Sequence, residues 1–261
     1  MIGIIGIGKL GTVIAKRLEA SKEFKGKVIA AGRNRENALA LGNDGITIAA
    51  NALEAVQKSN AIIICVKPKD METVLATIGG ECKGKLVVSV AAGIPIAHLE
   101  KKLPGARVAR CMPNLAVAIG MSETAITMSK TSTGKDRKAI EAIFGLFGSC
   151  HYMEEAKLTA WIGLSGSYPA YVALLIEAAA QAAQAEGFGR AEALQLACKV
   201  TMASSKLLLE TGEAPMDLVK RVASPGGTTE AGLKVAAENG LQESLKSAIA
   251  ASVKRARELE K

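Results

Sequence analysis

Ile2-Gly3-Ile4-Ile5-Gly6-Ile7-Gly8-Lys9-Leu10-Gly11 opens the chain. Ile2–Ile5 is a short apolar run that reads as a strand. Lys9–Ala20 reads as a helix. Between them stands G-x-G-x-x-G, in the strand–turn–helix context that a dinucleotide site requires. Gly6 permits the tight turn, Gly8 lets backbone approach a pyrophosphate, and Gly11 lets helix and strand pack closely. The helix start then presents its N–H groups to phosphate. An ordinary glycine-rich turn is the plainer alternative.

Outward from that turn the same grammar repeats. Lys27–Ala31 predicts a second strand, Asn51–Ser59 a helix, and Ala61–Val66 (AIIICV), Lys85–Val90 and Ala106–Cys111 further strands. Continuous apolar strands alternating with helices predict a parallel sheet covered on both faces. The fold class is therefore α/β: an N-terminal Rossmann domain over residues 1–152, followed by an all-helical domain over 153–261. From Glu154 onward there is no convincing strand, and breaks at Gly187–Gly189, Gly212–Pro215 and Ser224–Gly227 predict four or five helices. Pro169 inside the Glu154–Ala185 stretch predicts a kink.

The end of the second strand bears on cofactor choice. It reads Gly32-Arg33-Asn34-Arg35, with no carboxylate before Glu36. An acidic residue there would hold a ribose 2′-hydroxyl; two guanidinium groups instead suit a 2′-phosphate and favour NADPH over NADH. Two solvated arginines in a surface turn are the alternative. Val66-Lys67-Pro68 closes another strand at the carboxyl end of the sheet, where Lys67 is placed to meet a ribose, a phosphate or the substrate, or to be a plain surface lysine. Met112-Pro113-Asn114 is placed similarly. Asn114 offers its amide to a nicotinamide or substrate, or to a local Asx turn.

Ser224-Pro225-Gly226-Gly227-Thr228-Thr229 precedes a helical stretch. Bare glycine amides at a helix start, with three hydroxyls beside them, suit a carboxylate. They equally suit a capped turn between helices.

Composition sets the limits. The 261 residues carry 33 Lys+Arg and 25 Asp+Glu, a net charge of +8, and are 49% hydrophobic but only 3% aromatic. That balance excludes disorder and offers no aromatic platform for single-stranded bases. The basic excess lies in residues 1–152, with 21 basic against 12 acidic side chains, and fits a phosphorylated ligand better than nucleic acid. The five scattered cysteines form no C-x-x-C pair, which predicts reduced thiols in a cytoplasmic protein without a metal site. His98 and His151 read as structural. The apolar stretch Tyr168–Ala185 is interrupted by Pro169, Glu177, Gln181 and Gln184, so no membrane span is expected. No zincin, α/β-hydrolase or P-loop motif occurs.

In this order, IGIGKLG (5–11), GRNR (32–35), CVKPKD (65–70), CMPN (111–114), GLSGSYPAYVALLIEA (163–178) and VASPGGTTEAGL (222–233) resemble the pyrroline-5-carboxylate reductase family over the whole chain. The resemblance implies reduction of L-1-pyrroline-5-carboxylate to L-proline by NADPH or NADH, in a homodimer or a dimer-based larger assembly formed through the C-terminal helices. It implies that Gly6, Ile7, Gly8, Lys9, Leu10 and Gly11 form the pyrophosphate turn and that Arg33, Asn34 and Arg35 face the 2′-phosphate. It places Asn51 on the adenine side, Val66, Lys67 and Pro68 at the nicotinamide ribose, and Asn114 with the cofactor. It gives the substrate carboxylate to Ser224, Gly226, Gly227 and Thr228, and the substrate ring to Thr229, the catalytic candidate.

The sequence departs from the family pattern at Leu115-Ala116, at Tyr168, and at Glu230, which follows the threonine pair. Tyr168 fills space near the site, offers a hydroxyl to substrate, or turns away. A paralogue reducing another cyclic imine and a silent NADP-binding regulator are the competing functions. A β-hydroxyacid-dehydrogenase-like enzyme is a third. It fits less well, because such enzymes carry a lysine on the inter-domain helix and none occurs from Leu158 to Ala185.

Overall fold

The structure, a computed structural model, describes residues 1–259. Its chain falls into two compact units: residues 1–166 joined by the chain from Ser252 on, and Ser167–Ala251.

In the first unit β1 (Ile2–Ile5), β2 (Val28–Ala31), β3 (Thr47–Ile48), β4 (Ala61–Ile64), β5 (Leu86–Ser89), β6 (Arg107–Met112), β7 (Ser122–Met128) and β8 (Gly148–Tyr152) form one sheet. The order is β3-β2-β1-β4-β5-β6-β7-β8. All neighbours are parallel except β6 and β7. Strands β1, β2 and β5 are buried at every residue, as expected of a sheet covered on both sides. Three strands went unanticipated: the two-residue β3, and β7 and β8, which both mix polar and apolar residues and together form the reversed edge of the sheet.

The intervening helices are α1 (Lys9–Ala20), α2 (Arg35–Asn43), α3 (Ala52–Gln57), α4 (Pro68–Ile78), α5 (Ile96–Lys102) and α6 (Gly134–Phe144). One face of the sheet packs Ile14 and Leu18 of α1 with Phe144 and Phe147, whose rings meet edge-on at 5.9 Å. The other packs Met71 and Leu75 of α4 with Leu99 of α5. Two polar anchors tie these layers together. Arg110, 1% exposed on β6, donates to Glu155 Oε1 at 2.7 Å, and the same oxygen accepts from the Ile96 amide. Asp136 closes a capping box with Thr133 at the start of α6 and also accepts twice from Arg107 Nε. Burial opposes the Asp136 charge, but the Thr133 and Arg107 hydrogen bonds outweigh it and hold the carboxyl below its ordinary range.

The remainder is helical: α7 (Glu155–Trp161), α8 (Tyr168–Ala185), α9 (Arg190–Thr211), α10 (Pro215–Val222), α11 (Thr228–Glu238) and α12 (Leu241–Glu258). That is six helices among the described residues rather than four or five, with Gly240, at φ +66°, separating α11 from α12. Between α7 and α8 the backbone adopts a π-helical stretch, Ile162–Ser167. Pro169 follows this stretch directly, as the second residue of α8, so the irregularity precedes the proline.

Glu155–Ala185 is helical for 31 residues and holds an 18-residue window with a mean hydropathy of 1.2, long and apolar enough by length and composition alone to cross a membrane, although Pro169, Glu177, Gln181 and Gln184 interrupt it. Within the second unit only Ala180 and Ala193 are fully buried apolar residues, while Leu174, Met202 and Leu209 are exposed. Its apolar faces lack partners within one chain.

Candidate active site

Because β1 lies between β2 and β4, the carboxyl ends of these strands open onto a cleft of about 960 Å³. The topology reverses at this point, and open α/β sheets bind ligands there. Gly6, Ile7, Gly8, Lys9, Leu10, Arg33, Asn34, Asn51, Val66, Lys67 and Pro68 line the cleft. The structure thus brings together most of the residues singled out for a dinucleotide.

The three glycines answer to three different constraints. Gly6 has φ +100°. A side chain on Gly11 would lie 1.9 Å from the Gly6 carbonyl oxygen. A side chain on Gly8 would meet nothing within 4 Å; it would project into open space. Gly8 is also the N-cap of α1, and no side chain caps that helix. Free amides behind an open glycine make a cradle that a diphosphate fits and a Cβ would fill.

Around this cradle several polar groups already have local work. Asn34 Oδ1 accepts from the Asn37 amide and Asn51 Oδ1 from the Glu54 amide, each at 2.9 Å, so both asparagines are helix N-caps. A cap uses the oxygen and leaves the amide NH2 as the group each has for a ligand. Arg33 forms an ion pair with Asp70, Nη2 to Oδ1 at 2.7 Å. Asp70 lies in the first turn of α4 and also lines the cleft.

Three residues singled out for the cofactor do not line the cleft: Gly11, packed against Gly6, and Arg35 and Asn114. Arg35 is exposed at the start of α2 and does not line the cleft. Asn114 is also absent from the lining. Its Oδ1 accepts from the Ala116 amide at 3.0 Å, and its Nδ2 donates to Ser165 Oγ at 3.1 Å. Both ends of the amide are engaged in holding the turn after β6.

The lining also includes Met112, named with Asn114, and residues to which the sequence reading gave no role: Asp70, Thr73, Val74 and Val90–Ala92. The carboxyl end of β5 was the available signal for Val90–Ala92. Leu115, noted only as a departure, lines the cleft as well and is 74% exposed. Cys65 lines it too, but burial pushes its thiol up to about 12, so it stays neutral and unreactive. Among the described residues no three His, Cys, Asp or Glu side chains gather to hold a metal.

The Ser224–Thr229 loop lies in the second unit, between α10 and α11. Gly226 has φ +73°, and the Gly227 amide donates to the Ser224 carbonyl at 2.9 Å. Thr228 and Thr229 open α11, whose N-cap Gly227 has no side-chain cap. One carboxylate is already on the loop: Glu230 Oε2 accepts from the Gly226 amide at 2.7 Å. Tyr168 is half-buried at the start of α8.

Residues 155–259 match the family described as pyrroline-5-carboxylate reductase dimerisation, and residues 1–93 match the one described as NADP oxidoreductase coenzyme F420-dependent. Over its whole length the chain is 34% identical to the pyrroline-5-carboxylate reductase of Methanosarcina acetivorans, covering 98% of that protein. The chain belongs to the pyrroline-5-carboxylate reductase family. A crystal structure of the Streptococcus pyogenes member is 29% identical, covers 98% of each chain and gives a TM-score of 0.91. A Plasmodium falciparum member, solved with NADP bound, is 23% identical with a TM-score of 0.91 over 100% of this chain and 98% of its own, and shares the fold.

Proposed function

We propose that this protein reduces L-1-pyrroline-5-carboxylate to L-proline with NADPH, the last step of proline synthesis. The full-length relationship to reductases of that name carries the reading. The open cradle behind Gly8 supports it independently. In this scheme residues 1–152 hold the dinucleotide, and residues 153–261 bind the substrate and form the dimer.

NADPH, when bound, would supply the hydride that adds to the imine carbon, C2 of the pyrroline ring. The protein's own residues have a lighter task. A protonated imine is already electrophilic, so no strong acid is needed. Accordingly the cleft lining contains no histidine, and its one thiol is neutral. Positioning remains, and orientation can contribute roughly 7–11 kcal/mol at best. Amides and hydroxyls of Ser224–Thr229 hold the substrate carboxylate. The Thr229 hydroxyl hydrogen-bonds the ring nitrogen and aligns the adjacent imine carbon. Gly8, Lys9 and Leu10 hold the pyrophosphate from the start of α1, Arg33 meets the 2′-phosphate, and NADH is the weaker cofactor. Replacing Thr229 with alanine tests this role: turnover should fall about 10- to 100-fold, about 1.4 kcal/mol per tenfold. Unchanged turnover would remove Thr229 from the mechanism.

The exposed Leu115 in the cleft favours, as a second reading, a paralogue acting on a differently sized cyclic imine. The exposed apolar faces of the second unit, together with the dimerisation-family match, support a homodimer or a larger assembly built from it. Residence in the cytoplasm fits the free cysteines.

A further inference from the structure

We propose that Asp70 is a specificity-determining residue for the dinucleotide: its carboxylate is the counter-charge that Arg33 must share with a 2′-phosphate, and it weakens the preference for NADP(H) over NAD(H). The inference rests on the cofactor reading above and concerns a residue to which neither the motif nor the family likeness gave a role.

Arg33 follows β2, and Asp70 lies in the first turn of α4, directly after β4. Strands β2 and β4 flank β1, so the pair spans about two strand spacings, roughly 10 Å, across the end of the strand that carries the glycine turn. A dinucleotide laid along that turn meets the pair directly. Arg33 is 86% exposed and Asp70 26%, and an exposed ion pair is cheap to break. Arg33 has five N–H donors and gives one nitrogen, Nη2, to Asp70, so its other edge remains for phosphate oxygens.

The charge balance sets the sign. Arg33 alone would present a full positive charge at the cleft mouth. Paired with Asp70, which lies in the first turn of α4, it presents none. A 2′-phosphate carries about −1.5 to −2 charges at neutral pH. It is therefore opposed by Asp70 while it is attracted by Arg33. A nucleotide lacking that phosphate feels neither force strongly. The two residues act in opposite directions on the same group.

The test is direct binding of NADP+ and NAD+ by calorimetry to the wild type, Asp70→Asn, Arg33→Ala and the double variant, without any turnover. Asp70→Asn should tighten NADP+ about five- to tenfold, the Coulomb effect of one charge on a near-dianion in a watery cleft. NAD+ should change less than about twofold on the same Coulomb grounds, since it lacks the dianion. Arg33→Ala should weaken NADP+, and removing Asp70 should still tighten NADP+ in that background. An unchanged NADP+ to NAD+ ratio in Asp70→Asn overturns the role of Asp70. So does weaker NADP+ binding, which would make Asp70 a prop for Arg33. Failure of the folded wild type to bind NADP+ at all overturns the cofactor reading itself.

Discussion

A methyl group on Gly11 would lie 1.9 Å from the carbonyl oxygen of Gly6, the closest backbone approach at the glycine turn. Helix α1 can sit against β1 only while position 11 has no side chain. Three residues earlier the constraint is of another kind: Gly8 faces open space, and its value lies in what it leaves empty.

The two glycines therefore predict opposite mutant behaviour. Gly11→Ala should lower the thermal midpoint markedly, because backbone must move and overpacking typically costs about 1–3 kcal/mol. Gly8→Ala should leave the midpoint of the free protein within a degree or two of the wild type, yet weaken NADPH binding about tenfold or more by filling the cradle. Thermal melts and fluorescence titration separate the two. Equal loss of stability in both variants would contradict the assignment.

Asp136 should govern acid stability. Its carboxyl is held below the ordinary range, against burial, by Thr133 and Arg107. A depressed folded-state pKa contributes stability above the unfolded value and loses it as pH falls through the folded one. Asp136→Asn should thus cost about 2 kcal/mol near neutral pH, from the lost capping box and ion pair. The difference should shrink as pH drops below the usual carboxylate range. Urea denaturation across pH checks it, and a gap that widened in acid would reverse the sign.

Glu230 already places a carboxylate on the loop assigned to the substrate carboxylate. Two anions beside the same amides repel. Glu230→Gln keeps an acceptor for the Gly226 amide and removes the charge, so the KM for the imine should fall about two- to fivefold, with kcat unchanged. A raised KM would show instead that the charge is needed to shape the loop.

Leu115 is exposed in the cleft although it is a large apolar residue. If it bounds the imine ring, Leu115→Ala should shift preference toward the six-membered imine by about tenfold in kcat/KM, the scale of one to three kcal/mol for apolar pocket changes. Parallel kinetics with the two ring sizes measure this, and an unchanged ratio would place Leu115 away from the ring.

These residues also show where sequence reading succeeds and fails. The glycine turn was legible because each glycine serves a local steric need that follows from strand, turn and helix alone. The apolar runs of β1, β4 and β5 were legible because burial on both faces leaves Ser89 as their one polar side chain. Strands β7 and β8 were not, since a mixed edge tolerates Ser122, Glu123 and His151. The Arg33–Asp70 pair lies 37 residues apart in sequence and exists only through strand order. Asn114 was ambiguous for a different reason: an asparagine after a strand looks the same whether its amide serves a turn or a ligand.

The most direct test is NADPH oxidation by the purified protein with L-1-pyrroline-5-carboxylate, with proline formation followed in parallel. Stoichiometric NADPH loss and L-proline gain, faster than with NADH or with the six-membered imine, is the expected result. Tight NADPH binding without oxidation by either imine would contradict the assigned reaction and leave a nucleotide-binding protein whose Ser224–Thr229 loop serves another anion.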